Sequence, residues 1–272
     1  MTYKKKFYYS IALNVVLLAA FLTVIVMVFR PEKGPDKSPP LPPQETDVLP
    51  AARGIIVLII DDFGYRNDEI SDGFLALDVP LTCAIIPGHR NSAVFAETAV
   101  GKGKEVIIHM PMESYARRGG EDQFVLKTTH TSTELEHRIR KAFDLIPQAV
   151  GMNNHQGSKA TEDVRVMRVL GLTLKHLGKY FIDSRTTAKT VGESTMTRLG
   201  VKTRRRNVFL DNEFDPALIR EQLKELAEKA EEWGTAVGIG HAKRTTLEVL
   251  QEEIPNLVAQ GYQFQFASQA VR

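Results

Sequence analysis

The sequence predicts an α/β fold, a distorted (β/α) barrel of about seven βα units preceded by one N-terminal transmembrane helix. Two observations lead there. From Gly54 onward short β-branched runs alternate with helical patterns, the mark of parallel strands joined by crossover helices. Nearer the N-terminus lies one apolar run long enough to cross a bilayer.

Taken in order, Lys4, Lys5 and Lys6 precede an apolar stretch from Ile11 to Phe29. At ~1.5 Å rise per residue such a stretch matches a hydrocarbon core of ~30 Å. No small-residue cleavage site closes it, because Val24 to Phe29 runs straight into Arg30, so it reads as an uncleaved signal anchor over 11–29. The positive-inside rule puts residues 1–10 in the cytoplasm and everything after Arg30 outside. A single-pass inner (plasma) membrane protein facing the periplasm is the expectation. Residues 30–50, with Pro39, Pro40, Pro42 and Pro43 nearly contiguous, read as an extended linker, and residues 51–272 as the folded domain.

Within that domain the expected strands are Ile55 to Ile60, Leu81 to Ile86, Glu105 to His109, Ala149 to Asn153, Tyr180 to Asp183, Val201 to Thr203 with Val208 to Leu210, Thr235 to Gly240, and Gln263 to Phe266. An unbroken apolar run such as Ile55 to Ile60 suits a strand covered on both faces. Helices are expected over 91–102, 132–145, 161–177, 215–233 and 244–259. Asp215-Pro216 is a cap followed by proline in the first turn, and Thr131 with Glu134 forms a capping-box pattern;. A dinucleotide-binding Rossmann unit is disfavoured, since Asp61-Asp62-Phe63-Gly64 follows the first strand where a Gly-x-Gly-x-x-Gly turn would be needed;.

Charge narrows the partners. With 35 Lys and Arg against 33 Asp and Glu, the net charge of +2 supplies no basic field for nucleic acid;. Cys83 is the only cysteine, which excludes an intrachain disulfide and a cysteine-based zinc site.

Polar residues gather at the C-terminal ends of the expected strands, where (β/α) barrels build their sites. These ends are Asp61-Asp62, His109 to Glu113, Asn153 to Ser158, Asp183 to Thr186, Asp211 to Glu213, and Gly240-His241. An Asp-Asp pair taken alone is more often a cap or a turn, and a lone strand-end histidine is more often structural. Together on one rim, Asp62, His109 and His155 are candidates for a metal site, in which one of the adjacent aspartates Asp61 and Asp62 can bind a metal while its neighbour accepts a proton. The Lys- and Glu-rich run from Glu221 to Glu232 reads as a solvated helix face.

These blocks resemble the divergent branch of the polysaccharide deacetylase superfamily, related to carbohydrate esterase family 4. The resemblance covers about Gly54 to Ser268. It rests on Ile59 to Gly64, His109-Met110-Pro111-Met112-Glu113, Gly151 to Ser158, Asp183-Ser184-Arg185-Thr186 and Gly240-His241. It implies a divalent-metal site, usually zinc, acting on N-acetylated glycans, with Asp61 as base and Asp62 as ligand. The typical branch draws two further ligands from one His-x-x-x-His motif; here His109 matches the first, and Glu113 stands where the second is expected. Either Glu113 ligates or His155 supplies the missing imidazole, and His155 is the favoured reading. By the same resemblance His241 corresponds to the general acid. Asn154 or a backbone N–H would hold the oxyanion, Arg185, ordered by Asp183, would orient substrate or Asp61, and Asn153, Ser158 and Asp183 would contact the glycan.

The expected activity is therefore removal of acetyl groups from a cell-wall or extracellular polysaccharide, such as a peptidoglycan-type glycan. The alternatives are a non-catalytic glycan-binding or scaffolding protein of the envelope and a metal hydrolase of another amide or ester.

Overall fold

The computed structural model describes residues 52–116 and 123–272. The signal anchor expected over 11–29 and the linker over 30–50 lie outside the described residues, within which no helix is long and apolar enough to cross a membrane. The strands are β1 (Gly54–Phe63), β2 (Thr82–Ile85), β3 (Glu105–Met112), β4 (Gly151–Gln156), β5 (Tyr180–Asp183), β6 (Thr203–Arg205), β7 (Val208–Phe209), β8 (Thr235–His241) and β9 (Tyr262–Gln265). Between them lie α1 (Glu69–Leu75), α2 (Ser92–Gly101), α3 (Ser132–Leu145), α4 (Val164–Leu177), α5 (Gly192–Leu199), α6 (Pro216–Trp233), α7 (Arg244–Ala259) and α8 (Ala267–Ala270).

All the named strand pairings are parallel, in the order β6-β5-β4-β3-β2-β1-β8-β7. The two edges of this curled sheet are consecutive in the chain, with only Arg206 and Asn207 between them. The ring is bridged at that step. The Arg206 N–H donates to Asp183 O at 2.9 Å and the Asn207 N–H to Val237 O at 2.8 Å. The Asn207 side chain in turn accepts from Val237 N at 2.7 Å, replacing a ladder bond. The two runs predicted at Val201 to Thr203 and Val208 to Leu210 thus face different neighbours, and the product is a distorted barrel. β9 fills a lower gap, pairing with Gly54 to Val57 of β1, while β2 takes the upper half of the same edge from Ile59 to Phe63.

Strand alternation sorts the side chains into two cores. Ile56, Leu58 and Ile60 point outward into the layer under the helices, with Phe63, Phe74 and Phe95. Val57, Ile59, Ile107, Ile182, Val237 and Ile239 point inward. Burying each such side chain stabilises the fold by about 1.5–3 kcal/mol. The inner core is floored by Ala267 and Ala270 of α8, which is held by Ala267 N donating to Thr82 Oγ1 at 3.0 Å and Ser268 N donating to Glu105 Oε1 at 3.2 Å.

The helix signals operate as expected at α3, where Thr131 and Glu134 cap each other reciprocally, and at α6, where Asp215 accepts from Ala217 N and Leu218 N. The helix predicted over 161–177 is divided into a 3₁₀ turn at Ala160–Glu162 and α4, because the Asp163 carboxylate caps Val166 and restarts the chain. Helices α1, α5 and α8 carry too few turns to show a periodicity and have no counterpart in the sequence reading. One close approach is testable. A Cβ on Gly54 would lie 2.6 Å from the backbone carbon of Ala230 in α6, a contact that cannot yield by a rotamer change. Gly54→Ala should cost about 1–3 kcal/mol in urea unfolding of the full chain, and an unshifted midpoint would mean that α6 is not seated there.

Candidate active site

The inward parity that buries Val57 and Ile59 continues to Asp61. The same rule brings His109 of β3, Asn153 and His155 of β4, and His241 of β8 to the upper rim of the barrel. Asp62 breaks the rule. Consecutive strand residues face opposite sides, so two adjacent carboxylates can share a site only if the strand is interrupted. The register of β1 on β2 shifts between Ile60 and Phe63, and Asp62 has φ 67°. This left-handed conformation is costly for a non-glycine residue and is typical of sites where geometry matters more than local stability.

The side chains form a connected set. Asn153 Nδ2 donates to Asp61 Oδ1 at 2.8 Å, and its Oδ1 lies 2.7 Å from His109 Nδ1. An amide oxygen can only accept, so His109 carries its proton on Nδ1 and turns a lone pair at Nε2 toward the cleft. His109 Nε2 lies 3.0 Å from His155 Nδ1, and the two nitrogens are 3.4 and 3.2 Å from Asp62 Oδ1. The ligand atoms of Asp62, His109 and His155 all fall within 4.8 Å of one another. Asp62 Oδ1 is buried without a hydrogen bond despite these neighbours, and the bare Nε2 of His109 has no proton to give it. An orphaned carboxylate oxygen facing two imidazoles fits a divalent cation held by one carboxylate and two histidines. Glu113 is not part of this group. Its carboxylate accepts from Lys159 Nζ at 2.8 Å and from Thr128 N and Oγ1 at 2.7 Å.

Across the cleft, His241 Nδ1 lies 2.9 Å from Asp211 Oδ1, while Asp211 Oδ2 accepts from His241 N at 2.7 Å and Thr246 Oγ1 at 2.6 Å. Burial works against the charge on His241, but the hydrogen bond and charge of Asp211 outweigh it, with help from Asp62 and Asp61, and its pKa is raised to about 9. Burial raises Asp61 above the usual carboxylate range, partly offset by His109 and His241. Burial also opposes ionisation of Asp62, yet the two imidazoles beside it hold its carboxyl well below that range. Two carboxyls one residue apart are thereby pushed in opposite directions, as a proton acceptor and a ligand require.

The cleft between these groups is about 650 Å³ and is also lined by Asn154, Gln156, Arg185, Arg206, Phe209, Phe214 and Lys243. Asn153, Ser158 and Asp183, expected to contact the glycan, do not line it. Asn153 is fully buried between Asp61 and His109. The Ser158 hydroxyl accepts from Tyr115 N at 3.1 Å. Asp183 has outward parity and is spent on the chain around α5, accepting from Thr190 Oγ1 at 2.8 Å and Glu193 N at 3.1 Å. It orders Arg185 through the backbone N–H at 2.9 Å, not through the guanidinium. Asn154 reaches the cleft wall, but its amide hydrogens go to Gln156 O at 2.7 Å and Thr186 Oγ1 at 3.4 Å, which leaves no donor for an oxyanion. Sequence reasoning gave no role to Asp211, Arg206, Phe209, Phe214 or Lys243. Asp211 follows a strand by the same rule that selected Asp61 and could have been found that way.

Fold and site together define a barrel of the polysaccharide deacetylase type. The chain belongs to the divergent polysaccharide deacetylase family, whose profile matches residues 58–271. It is 35% identical over 208 residues to the protein YibQ of Escherichia coli (strain K12), a match covering 76% of this chain and 65% of that protein. It is 32% identical over 206 residues to a Haemophilus influenzae (strain Rd) protein, covering 76% of this chain and 73% of that one. Two solved structures share the fold. An Agrobacterium tumefaciens C58 protein superposes with TM-score 0.74 at 17% identity, over 81% of this chain and 91% of that one. A CE4 family pseudoenzyme from Bacillus anthracis superposes with TM-score 0.52 at 15% identity, over 81% and 66%.

Proposed function

We propose that this chain is a metal-dependent hydrolase that removes acetyl groups from an N-acetylated cell-wall or extracellular polysaccharide. The observation that supports this reading is the convergence of Asp62, His109 and His155 beside Asp61, with the His241–Asp211 pair on the opposite wall. A divalent cation held by the three ligands, Zn²⁺ by preference for this donor set, would supply Lewis-acid polarisation of the acyl carbonyl and water activation at neutral pH. Asp61 takes the proton of the attacking water as its oxygen bonds to the carbonyl carbon. His241, protonated at neutral pH, gives its proton to the sugar nitrogen as the C–N bond breaks, so the products are acetate and a free amine. Asn153 keeps Asp61 and His109 in register. The anchor over 11–29 would hold this chemistry on the periplasmic side of the inner membrane.

The reading is tested by incubating the full-length chain with N-acetylated oligosaccharides and measuring acetate. Release should stop on chelation and return with zinc. Glycan binding without acetate release by the metal-loaded chain would instead support a non-catalytic envelope scaffold, and turnover confined to non-sugar amides or esters would move the activity to another substrate class.

A further inference from the structure

The balance of charge in the cleft is uneven in a way that the deacetylation chemistry does not use. Each of its three carboxylates has a specific partner within the site. Asp62 faces the two imidazoles, Asp61 is held by Asn153 beside His109, and Asp211 is bonded to His241. The cations are not matched in the same way. Arg206 lies in the wall, donating to Ser184 O at 2.6 Å and Arg185 O at 2.9 Å, with its guanidinium 4.7 Å over the Phe209 ring. Those contacts orient it, and the carboxylates of Asp61 and Asp183 act on its charge from a distance, so it is not a free cation of the wall. Arg185 is half-buried, lines the cleft and has no acidic partner for its guanidinium among the described residues. It stands on a backbone with φ 48°, pinned by its own N–H to Asp183 Oδ1, so the direction in which its side chain leaves the loop is fixed. Lys243, at the cleft's other side, has the Phe214 ring 5.9 Å away and no acidic partner among the described residues.

We infer that Arg185 and Lys243 form an anion-recognising rim, and that the glycan taken by this cleft carries a carboxylate or phosphate group close to the N-acyl sugar. The inference rests on the deacetylase reading for the identity of the scissile group and on the cleft alone for the charge. A guanidinium fork matches either oxyanion through paired N–H donors, whereas an ammonium acts as a point charge. Two cations with no paired acid among the described residues, set in a concave wall, concentrate a potential that a neutral oligosaccharide cannot exploit;. Phe214, exposed at the same edge, offers a flat apolar face to the sugar ring beside the charge.

The test is titration calorimetry on the full-length chain with three ligands of equal length: a neutral N-acetylglucosamine oligomer, a counterpart in which alternate sugars carry a carboxylate, and one carrying a phosphate. The charged ligands should bind about tenfold more tightly than the neutral one, and the difference should shrink as salt is raised. Whichever charged ligand is favoured identifies the source of the anion. Arg185→Gln and Lys243→Gln should each reduce the preference by several fold, with Arg185→Lys recovering part of it. Lys243 is exposed, so its variant keeps the test clear of any folding defect at the strained Arg185 loop. Equal affinity for all three ligands, or a preference that survives both substitutions, overturns the inference. Because binding is read apart from turnover, a chain that prefers anionic glycans yet releases no acetate would sink the deacetylase reading alone. Acetate release without charge preference would sink only this one.

Discussion

Asp62→Ala, His109→Ala and His155→Ala should each leave a folded barrel that no longer retains zinc. Elemental analysis should find about one zinc per chain in the parent and close to none in the three variants, with circular dichroism unchanged. The expectation follows from the geometry: the three ligand atoms lie within 4.8 Å of each other, and Asp62 Oδ1 has no hydrogen bond to satisfy it otherwise. Removing one of three protein ligands takes away a large part of the binding free energy of such a site, and acetate release should fall with the metal. Glu113→Gln should keep its zinc, since Lys159 and Thr128 occupy that carboxylate. Retention of metal in His155→Ala with loss in Glu113→Gln would reverse the ligand assignment.

His241→Ala should lower turnover by about 10²–10⁴-fold, the usual contribution of one acid–base group, with zinc content intact. Its neighbour gives a finer readout. His241 acts as an acid only while protonated, and Asp211 raises its pKa to about 9. Activity limited by this group is therefore present below that value and lost as pH rises through it. In Asp211→Asn the charge is gone while one side-chain oxygen remains to meet the ring. The alkaline limb should then move down toward the ordinary histidine value of ~6.5. A limb that stays in place would remove His241 from proton transfer.

The barrel was legible because its strands are covered on both faces. Ile55 to Ile60 is apolar without a break, since Val57 and Ile59 fill the interior and Ile56, Leu58 and Ile60 meet the helices. Rim positions followed from chain direction alone, which is why Asp61, His109, His155 and His241 could be placed together. Placing a strand did not by itself fix which way its last residue faces. Asp183 was expected in the cleft, yet it is the outward neighbour of inward Ile182 and serves α5. Asn154 was expected to donate, but its donors are consumed by a loop whose path no local pattern encodes. The pairing of Asp211 with His241 spans thirty residues and depends on β7 lying beside β8, a registration set by ring closure. The bulge that turns Asp62 into the site has no glycine or proline to announce it.

The same closure has a temporal side. β1, the first strand of the described residues, is paired along one edge with β8 and over the lower half of the other with β9, both from the far end of the chain, while its near neighbour β2 takes the rest of that edge. Contacts of such long sequence separation are slow to form. Until β8 and α8 have been synthesised, Val57 and Ile59 lack the cover of Val237, Ile239, Ala267 and Ala270, and only Ala84, Ile107, Tyr180 and Ile182 share their inner layer. A chain emerging from its N-terminus therefore carries a strongly β-forming segment with one edge unpaired until late in its synthesis. An unpaired edge of that kind is a template for wrong pairing with another chain while the protein is being made.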